Sequence, residues 1–226
     1  MKKKKLFIII AGLAMIALIG GTYAAFTAST SAVEKVSTDK LGIEIVQGKD
    51  QGQKGLTDIS GYGDAKDAAG VSYKGTPGDE VAESVAVKNT ENIDCFVRVT
   101  TNRSWMKESA DGGAEKVFDD VDPKEIRIAV NDDWFVAEDP DDSEVIYCYY
   151  KKALTAGATQ EVMQSFSVLK NDIMGANSNQ YAGLSANIIF EADAVQKAAA
   201  EAAMKAEWGV EADIQGDQLA GMPTFQ

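Results

Sequence analysis

The sequence contains no histidine, and it has only two cysteines and four prolines among 226 residues. The missing histidine excludes His-containing catalytic triads, His-ligated zinc and haem ligation by His. Basic residues are also scarce: 22 Lys and Arg stand against 35 Asp and Glu, giving a formal charge of −13. Because nucleic-acid binding depends on neutralising phosphates with basic side chains, we expect no nucleic-acid partner.

The remaining composition is that of a folded protein. Hydrophobic residues make up 45% of the chain and charged residues 25%, which is typical of a globular domain and not of a disordered chain. The length fits one large β domain or two small domains.

The first 25 residues have the pattern of a secretory signal peptide. Four lysines, Lys2 to Lys5, precede an uninterrupted apolar run from Leu6 to Ile19. Small residues follow, and we place the signal-peptidase cut between Ala25 and Phe26. This cut removes four lysines and no acidic residue, so the mature charge is −17 rather than −13. The alternative is an uncleaved membrane anchor, because the uncharged stretch 6–32 is long enough to span a membrane. If the peptidase cuts, we expect membrane contact only before cleavage.

Short segments after Phe26 alternate apolar and polar residues, which predicts strands with one buried face. Leu41, Ile43 and Ile45 follow this alternation. About nine such segments occur, and no long helical periodicity is found before residue 191. The fold class predicted from this pattern is all-β: an antiparallel β-sandwich of jelly-roll type with one C-terminal helix.

The predicted domain boundaries divide the chain into four parts. The signal peptide covers residues 1–25 and the β-sandwich domain residues 26–195. An Ala-rich helix is predicted over 196–209, with Gly209 placed to end it. The acidic residues 210–226 predict a mobile tail. Within the sandwich, the Gly-, Asp- and Lys-rich stretch 47–70 predicts a long surface loop.

Two cysteines, Cys95 and Cys148, lie in different predicted strands. In a secreted chain they could form a disulfide, provided that their strands are neighbours or face each other. The alternative is two buried free thiols.

Acidic loops are the candidate metal site. Asp139, Asp141 and Asp142 could supply oxygen ligands to calcium, although no loop has EF-hand spacing and a solvated acidic loop is the alternative. We expect no other cofactor. The sequence also lacks the nucleophile-elbow, phosphate-loop and dinucleotide motifs, so we expect no enzymatic activity.

The leader and parts of the body resemble the TasA and camelysin (CalY) family of Gram-positive secreted proteins. In the leader, the resemblance lies in the stretch 20–27 behind the lysines, with its Ala-Ala-Phe triplet at residues 24–26. In the body it lies, in chain order, in residues 76–79, 87–90, 96–99, 149–152 and 181–184. The resemblance implies cleavage before Phe26 by a SipW-type signal peptidase, a β-sandwich fold, and a location in the extracellular matrix or at the cell surface.

For function, the resemblance implies a structural protein of a biofilm matrix or surface fibre, which associates with itself or with related matrix proteins. In such fibres the mature N-terminus adds as a strand to the sheet edge of the next subunit. Phe26, Ala28, Val33 and Val36 are apolar positions of the candidate donor strand. Two alternatives stay open: a monomeric cell-surface binding module and a camelysin-like metalloprotease, although no zinc-ligand spacing is found for the latter.

Overall fold

The computed structural model describes residues 27–28, 41–47, 56–58, 68–74, 78, 80–110, 112–168 and 178–226. These residues form two large antiparallel β-sheets and one short α-helix, α1 (Ala200–Trp208). The strands are β1 (Thr27–Ala28), β2 (Ile43–Gln47), β3 (Leu56–Asp58), β4 (Ala68–Tyr73), β5 (Glu80–Asn89), β6 (Cys95–Glu108), β7 (Ala114–Val117), β8 (Ile126–Val130), β9 (Trp134–Glu138), β10 (Val145–Tyr150), β11 (Thr159–Val168), β12 (Ser185–Gln196), β13 (Val210–Glu211), β14 (Ile214–Gln215), β15 (Gln218–Leu219) and β16 (Thr224–Phe225). Within the described ranges, 3-10 helices cover Pro123–Glu125, Ser178–Tyr181 and Lys197–Ala199.

The larger sheet has the strand order β3-β4-β12-β6-β10-β9, with β1 also paired to β12 and β7 to β6. The smaller sheet has the order β2-β5-β11-β8. The predicted fold class, an antiparallel β-sandwich with one C-terminal helix, is therefore confirmed.

The core lies between the two sheets and follows the period-two pattern of the strands. In β5, the buried side chains of Val81, Val85 and Val87 alternate with exposed or half-buried neighbours. In β6, Val97 and Val99 are buried in the same cluster. Alternation places these side chains on one face of each strand, where the opposite sheet removes them from water.

Polar side chains tie the sheets together at several points. Trp134 of the larger sheet donates its indole N–H to the Glu161 carbonyl of the smaller sheet at 2.7 Å. The buried Arg103 donates to the carbonyl oxygen of Ile126 at 3.4 Å. Asn89, which has no exposed surface, donates from Nδ2 to the carbonyl oxygens of Ile93 at 2.7 Å and Leu154 at 3.1 Å.

The structure differs from the prediction in the stretch 47–70. Part of this predicted loop forms β3 and the start of β4, and both strands extend the edge of the larger sheet. Glycine and charged residues lower the local strand propensity of such a stretch, but backbone pairing to an existing sheet overrides that preference.

The C-terminal segment also differs from its prediction. β12 continues to Gln196, and the α-helix begins only at Ala200 after one 3-10 turn. Gly209 ends the helix in the left-handed conformation with φ 65°. This is the helix end that the sequence predicts, because glycine readily adopts a positive φ. Residues 210–226 do not form the predicted mobile tail. They form two short strand pairs, β13 with β16 and β14 with β15, and Val210 and Leu219 are buried.

Candidate functional site

The N-terminal strand β1 pairs with one end of β12, and this pairing defines the candidate site. Thr27 lies opposite Val195 and Ala28 opposite Ala194, in antiparallel register. One side of β12 is paired with β6 along its whole length, from Ser185 to Gln196. β1 therefore lies on the other side of β12, the side that β4 also uses.

In the described part of the chain, β4 pairs with β12 from Ala186 to Glu191, where Glu191 lies opposite Ala68. The described partner beyond this point is β1, which pairs at Ala194 and Val195. We call Ala192–Gln196 the acceptor segment. Without a partner strand, its outward N–H and C=O groups would form an open sheet edge.

The hydrogen-bonding pattern follows from β6. Cys95 exchanges two backbone hydrogen bonds with Leu154 on the β10 side, so the odd-numbered residues of β6 bond in that direction. Even-numbered residues of β6 then bond to β12, where they lie opposite odd-numbered residues such as Val195. Even-numbered β12 residues consequently bond outward, which makes Ala194 and Ala28 the hydrogen-bonded pair.

The register also limits how far the N-terminal strand can extend in this position. After Ala28, only Asp193 and Ala192 remain before the position that Ala68 occupies. Of the predicted donor positions, Ala28 lies within β1, whereas Phe26, Val33 and Val36 lie outside the described residues. The cleavage junction between Ala25 and Phe26 lies outside them as well.

A C-terminal cap covers the outer face of the larger sheet behind the acceptor segment. We define the cap as residues 197–226, which include α1 and the two short strand pairs. It buries a second apolar cluster that is separate from the core between the sheets. The buried members of this cluster are Phe96, Ala137, Tyr149, Val195, Ala200, Ala203, Met204, Trp208, Val210 and Leu219.

Arg98 lies at the centre of the contact between sheet and cap. Its guanidinium carbon is 5.2 Å from the ring centroid of Tyr147 on the sheet and 5.1 Å from that of Trp208 in the cap. Its Nη2 donates to Asp193 Oδ2 at 2.9 Å. Arg98 lies between Asp193 and Tyr149 in the cross-strand register, so one row of side chains spans three strands. Burial is the main cause that raises the pKa of Tyr149 in this row.

Lys197 fastens the end of β12 to its surroundings. Its backbone N–H donates to the Asp94 carbonyl at 3.1 Å. Its ammonium group pairs with the carboxylates of Asp217 in the cap and Asp94 next to β6. The hydrogen bond to Asp217 is the largest cause that raises the pKa of Lys197. Asp217 is itself held, because its carbonyl accepts from the backbone N–H of Ala153 at 2.8 Å.

The two cysteines do not form the disulfide that the sequence left open; both are buried free thiols, which is the alternative given above. Their strands are neighbours, but Cys148 lies opposite Val99, four residues from Cys95 along β6. That offset corresponds to about 14 Å at roughly 3.4 Å per residue, whereas a disulfide needs Cα atoms within about 7 Å. Burial raises the pKa of each thiol to about 12.

The calcium candidates Asp139, Asp141 and Asp142 lie together in the loop after β9, where the loop itself uses the Asp139 carboxylate. That carboxylate accepts from the backbone N–H groups of Asp141 at 2.8 Å and Asp142 at 3.0 Å, and from the Tyr147 hydroxyl at 2.8 Å. These bonds lower the pKa of Asp139, with the Asp141 bond the largest cause. Across the described ranges, no three His, Cys, Asp or Glu side chains lie where they could hold a metal ion.

Most of the aromatic side chains of the central strands are buried and do not form an exposed binding platform. Phe96, Trp105, Trp134, Tyr149 and Tyr150 are all buried. Among the described residues, the most exposed large apolar side chain is that of Phe118, which is 74% exposed. No helix in the described part of the chain has the length and apolar composition needed to cross a membrane.

No family model, curated protein or solved structure matches this chain. Sequence reasoning predicted that the N-terminal segment is a strand donor, but it did not predict the edge that pairs with β1 or the cap behind that edge. The apolar residues Trp208, Val210 and Leu219 within a polar C-terminal sequence are the signal that could have indicated the cap.

Proposed function

We propose that the protein is a secreted structural subunit of an extracellular matrix or surface fibre, related to the TasA and camelysin proteins, and that it is not an enzyme. Subunits join when the mature N-terminal strand of one copy adds to the acceptor segment of the next. A SipW-type signal peptidase frees that strand by cutting between Ala25 and Phe26. The mature protein is then located in the matrix or at the cell surface.

The observation that carries the proposal is the pairing of β1 with β12. A strand that completes a sheet edge within its own chain can make the same bonds to another copy, which is the basis of domain swapping. β1 pairs with β12 at Thr27 and Ala28, so these are the backbone contacts that exchange would transfer to another copy. The acceptor segment offers the same backbone groups to either strand.

The charge of the chain predicts when assembly takes place. A mature charge of −17 makes subunits repel one another at low ionic strength. Salt screens this repulsion over about 8 to 10 Å near physiological concentration. Strand addition provides short-range backbone hydrogen bonds that salt does not abolish, so assembly strengthens as ionic strength rises.

Two proline variants of the mature chain test the proposal. Ala28→Pro removes the N–H group that bonds to Ala194, whereas Thr27→Pro removes an N–H group that points away from β12. In electron micrographs we expect filaments from the wild-type and Thr27→Pro chains and none from the Ala28→Pro chain. Filaments from both variants would contradict strand addition at this edge. A wild-type chain that stays monomeric at every salt concentration would favour the monomeric binding module.

A further inference from the structure

We infer that the C-terminal cap makes the acceptor segment competent, so that a subunit accepts the strand of a neighbour only after residues 197–226 have folded. The inference rests on the proposed function and adds a control step to it. The residues that exert this control are Val195 and Asp193 on β12, Arg98 on β6, and Lys197 and Trp208 in the cap.

The cap helps to position the residues on either side of Ala194, the residue whose backbone faces the incoming strand. Val195 is fully buried in the cluster under the cap. Asp193 is bonded to Arg98, whose guanidinium lies 5.1 Å from the Trp208 ring centroid. Both neighbours of the bonding residue are thus held through contacts that involve the cap.

The end of the acceptor segment is held by Lys197. Gln196 is followed directly by Lys197, which is bonded through its backbone to Asp94 and through its side chain to Asp94 and Asp217. Among the described residues, β4 pairs with β12 only as far as Glu191. The described hydrogen bonds and ion pairs at this end of β12 are therefore those with β1, β6 and the cap.

A chain without a folded cap would expose the apolar outer face of this sheet end. Phe96, Tyr149 and Val195 have 0% exposed surface with the cap in place. Strand ends with few buried contacts open locally at low cost in free energy. An acceptor segment that opens in this way offers no fixed row of N–H and C=O groups to a partner strand.

The positions of the two elements in the chain give this dependence a consequence for secretion. Residues 27–28 of the donor strand precede residues 197–226 of the cap in the chain, so the donor leaves the cell before the cap does. A partly exported chain therefore has a free donor but no finished acceptor. Growth onto such a chain is delayed until export and folding are complete, which protects it from premature polymerisation.

The test measures acceptor competence directly. The acceptor is the full mature chain carrying Ala28→Pro, whose own N-terminal strand cannot occupy the edge. The probe is a synthetic peptide of residues 26–36 with a fluorophore at its C-terminus, and binding is followed by anisotropy. Lys197→Met and Trp208→Ala are introduced into this acceptor. Lys205→Met is the matched control, because Lys205 pairs with Glu211 inside the cap and not with β12.

We expect Lys197→Met and Trp208→Ala to weaken peptide binding at least tenfold, and Lys205→Met to change it less than twofold. Lys197→Arg keeps the ion pairs and should restore binding, and the cooperative unfolding of the sandwich in each variant is recorded alongside. If the Ala28→Pro chain binds no peptide, the proposed function is overturned and the inference with it. If it binds the peptide but the Lys197 and Trp208 variants bind equally well, the inference alone is overturned.

Discussion

Replacing Arg98 by methionine is expected to loosen the cap while leaving the sandwich folded. Methionine keeps an unbranched apolar side chain in place but removes the guanidinium. The change eliminates the contacts with the Tyr147 and Trp208 rings, at 5.2 and 5.1 Å, and the ion pair with Asp193. Because these contacts lie on the outer face of the larger sheet, the core between the sheets keeps its packing.

Only one of those three contacts joins the sheet to the cap, because Tyr147 and Asp193 lie on the larger sheet with Arg98 and Trp208 lies in the cap. A partly desolvated cation–π contact contributes about 1 kcal/mol. The free energy of cap opening should therefore fall by about 1 kcal/mol, which corresponds to roughly a fivefold larger open population.

Amide hydrogen exchange of the full mature chain measures this opening. Exchange in residues 200–219 should accelerate roughly fivefold, while exchange in β11 of the smaller sheet stays unchanged. Arg127→Met is the matched control, because Arg127 lies on β8 and pairs with Glu125, away from the cap. Cap exchange at the wild-type rate, or equal acceleration in β11, would show that Arg98 does not hold the cap.

Three further predictions concern stability, the thiols and salt. Asn89→Asp should lower the free energy of unfolding by about 3 kcal/mol at pH 7, because a buried carboxylate would face two carbonyls that Asn89 Nδ2 now bonds. Burial raises the pKa of the introduced carboxyl above its value in the unfolded chain, so the loss of unfolding free energy should become smaller as the pH falls towards 4. Urea denaturation at pH 7 and pH 4 checks whether the loss is smaller at the lower pH. Cys95 and Cys148 should not react with a thiol reagent at pH 8 until the chain unfolds, because both pKa values are about 12; rapid labelling of the native chain would contradict their burial. Filament yield, measured by sedimentation, should rise between low salt and about 150 mM; a yield that falls with salt would show that attraction between charges drives assembly.

The fold class could be predicted from the sequence because the evidence for it is local. Alternation in segments such as 81–87 and 95–99 places the apolar side chains on one face, and a sandwich buries such faces. The buried Val85 and Val99 fit that reasoning. Glycine at position 209 likewise predicts the end of the helix, because few other residue types adopt its positive φ.

The pairing partners could not be predicted, because they depend on register between distant parts of the chain. Nothing near Thr27 in the sequence indicates Val195 as its neighbour. The same limit explains the disulfide prediction: both cysteines are in neighbouring strands, but only the register reveals the four-residue offset. Residues 210–226 look like a tail by composition, yet Val210 and Leu219 find a sheet face to cover.

Cross-linking between two copies tests whether the N-terminal strand of one subunit pairs with β12 of another. Thr27 and Val195 form a non-hydrogen-bonded pair, in which Cα atoms are about 4.5 Å apart, a separation that a disulfide can bridge. A mature Thr27→Cys chain is mixed with a mature Val195→Cys chain under assembly conditions and then oxidised. We predict a disulfide-linked dimer containing one copy of each variant, formed in filaments and absent from either chain alone. The contrary result has two parts: a Thr27→Cys, Val195→Cys double variant closes its disulfide within one chain, and the mixture yields no linked dimer. The strand then stays in its own subunit, which contradicts strand addition between subunits.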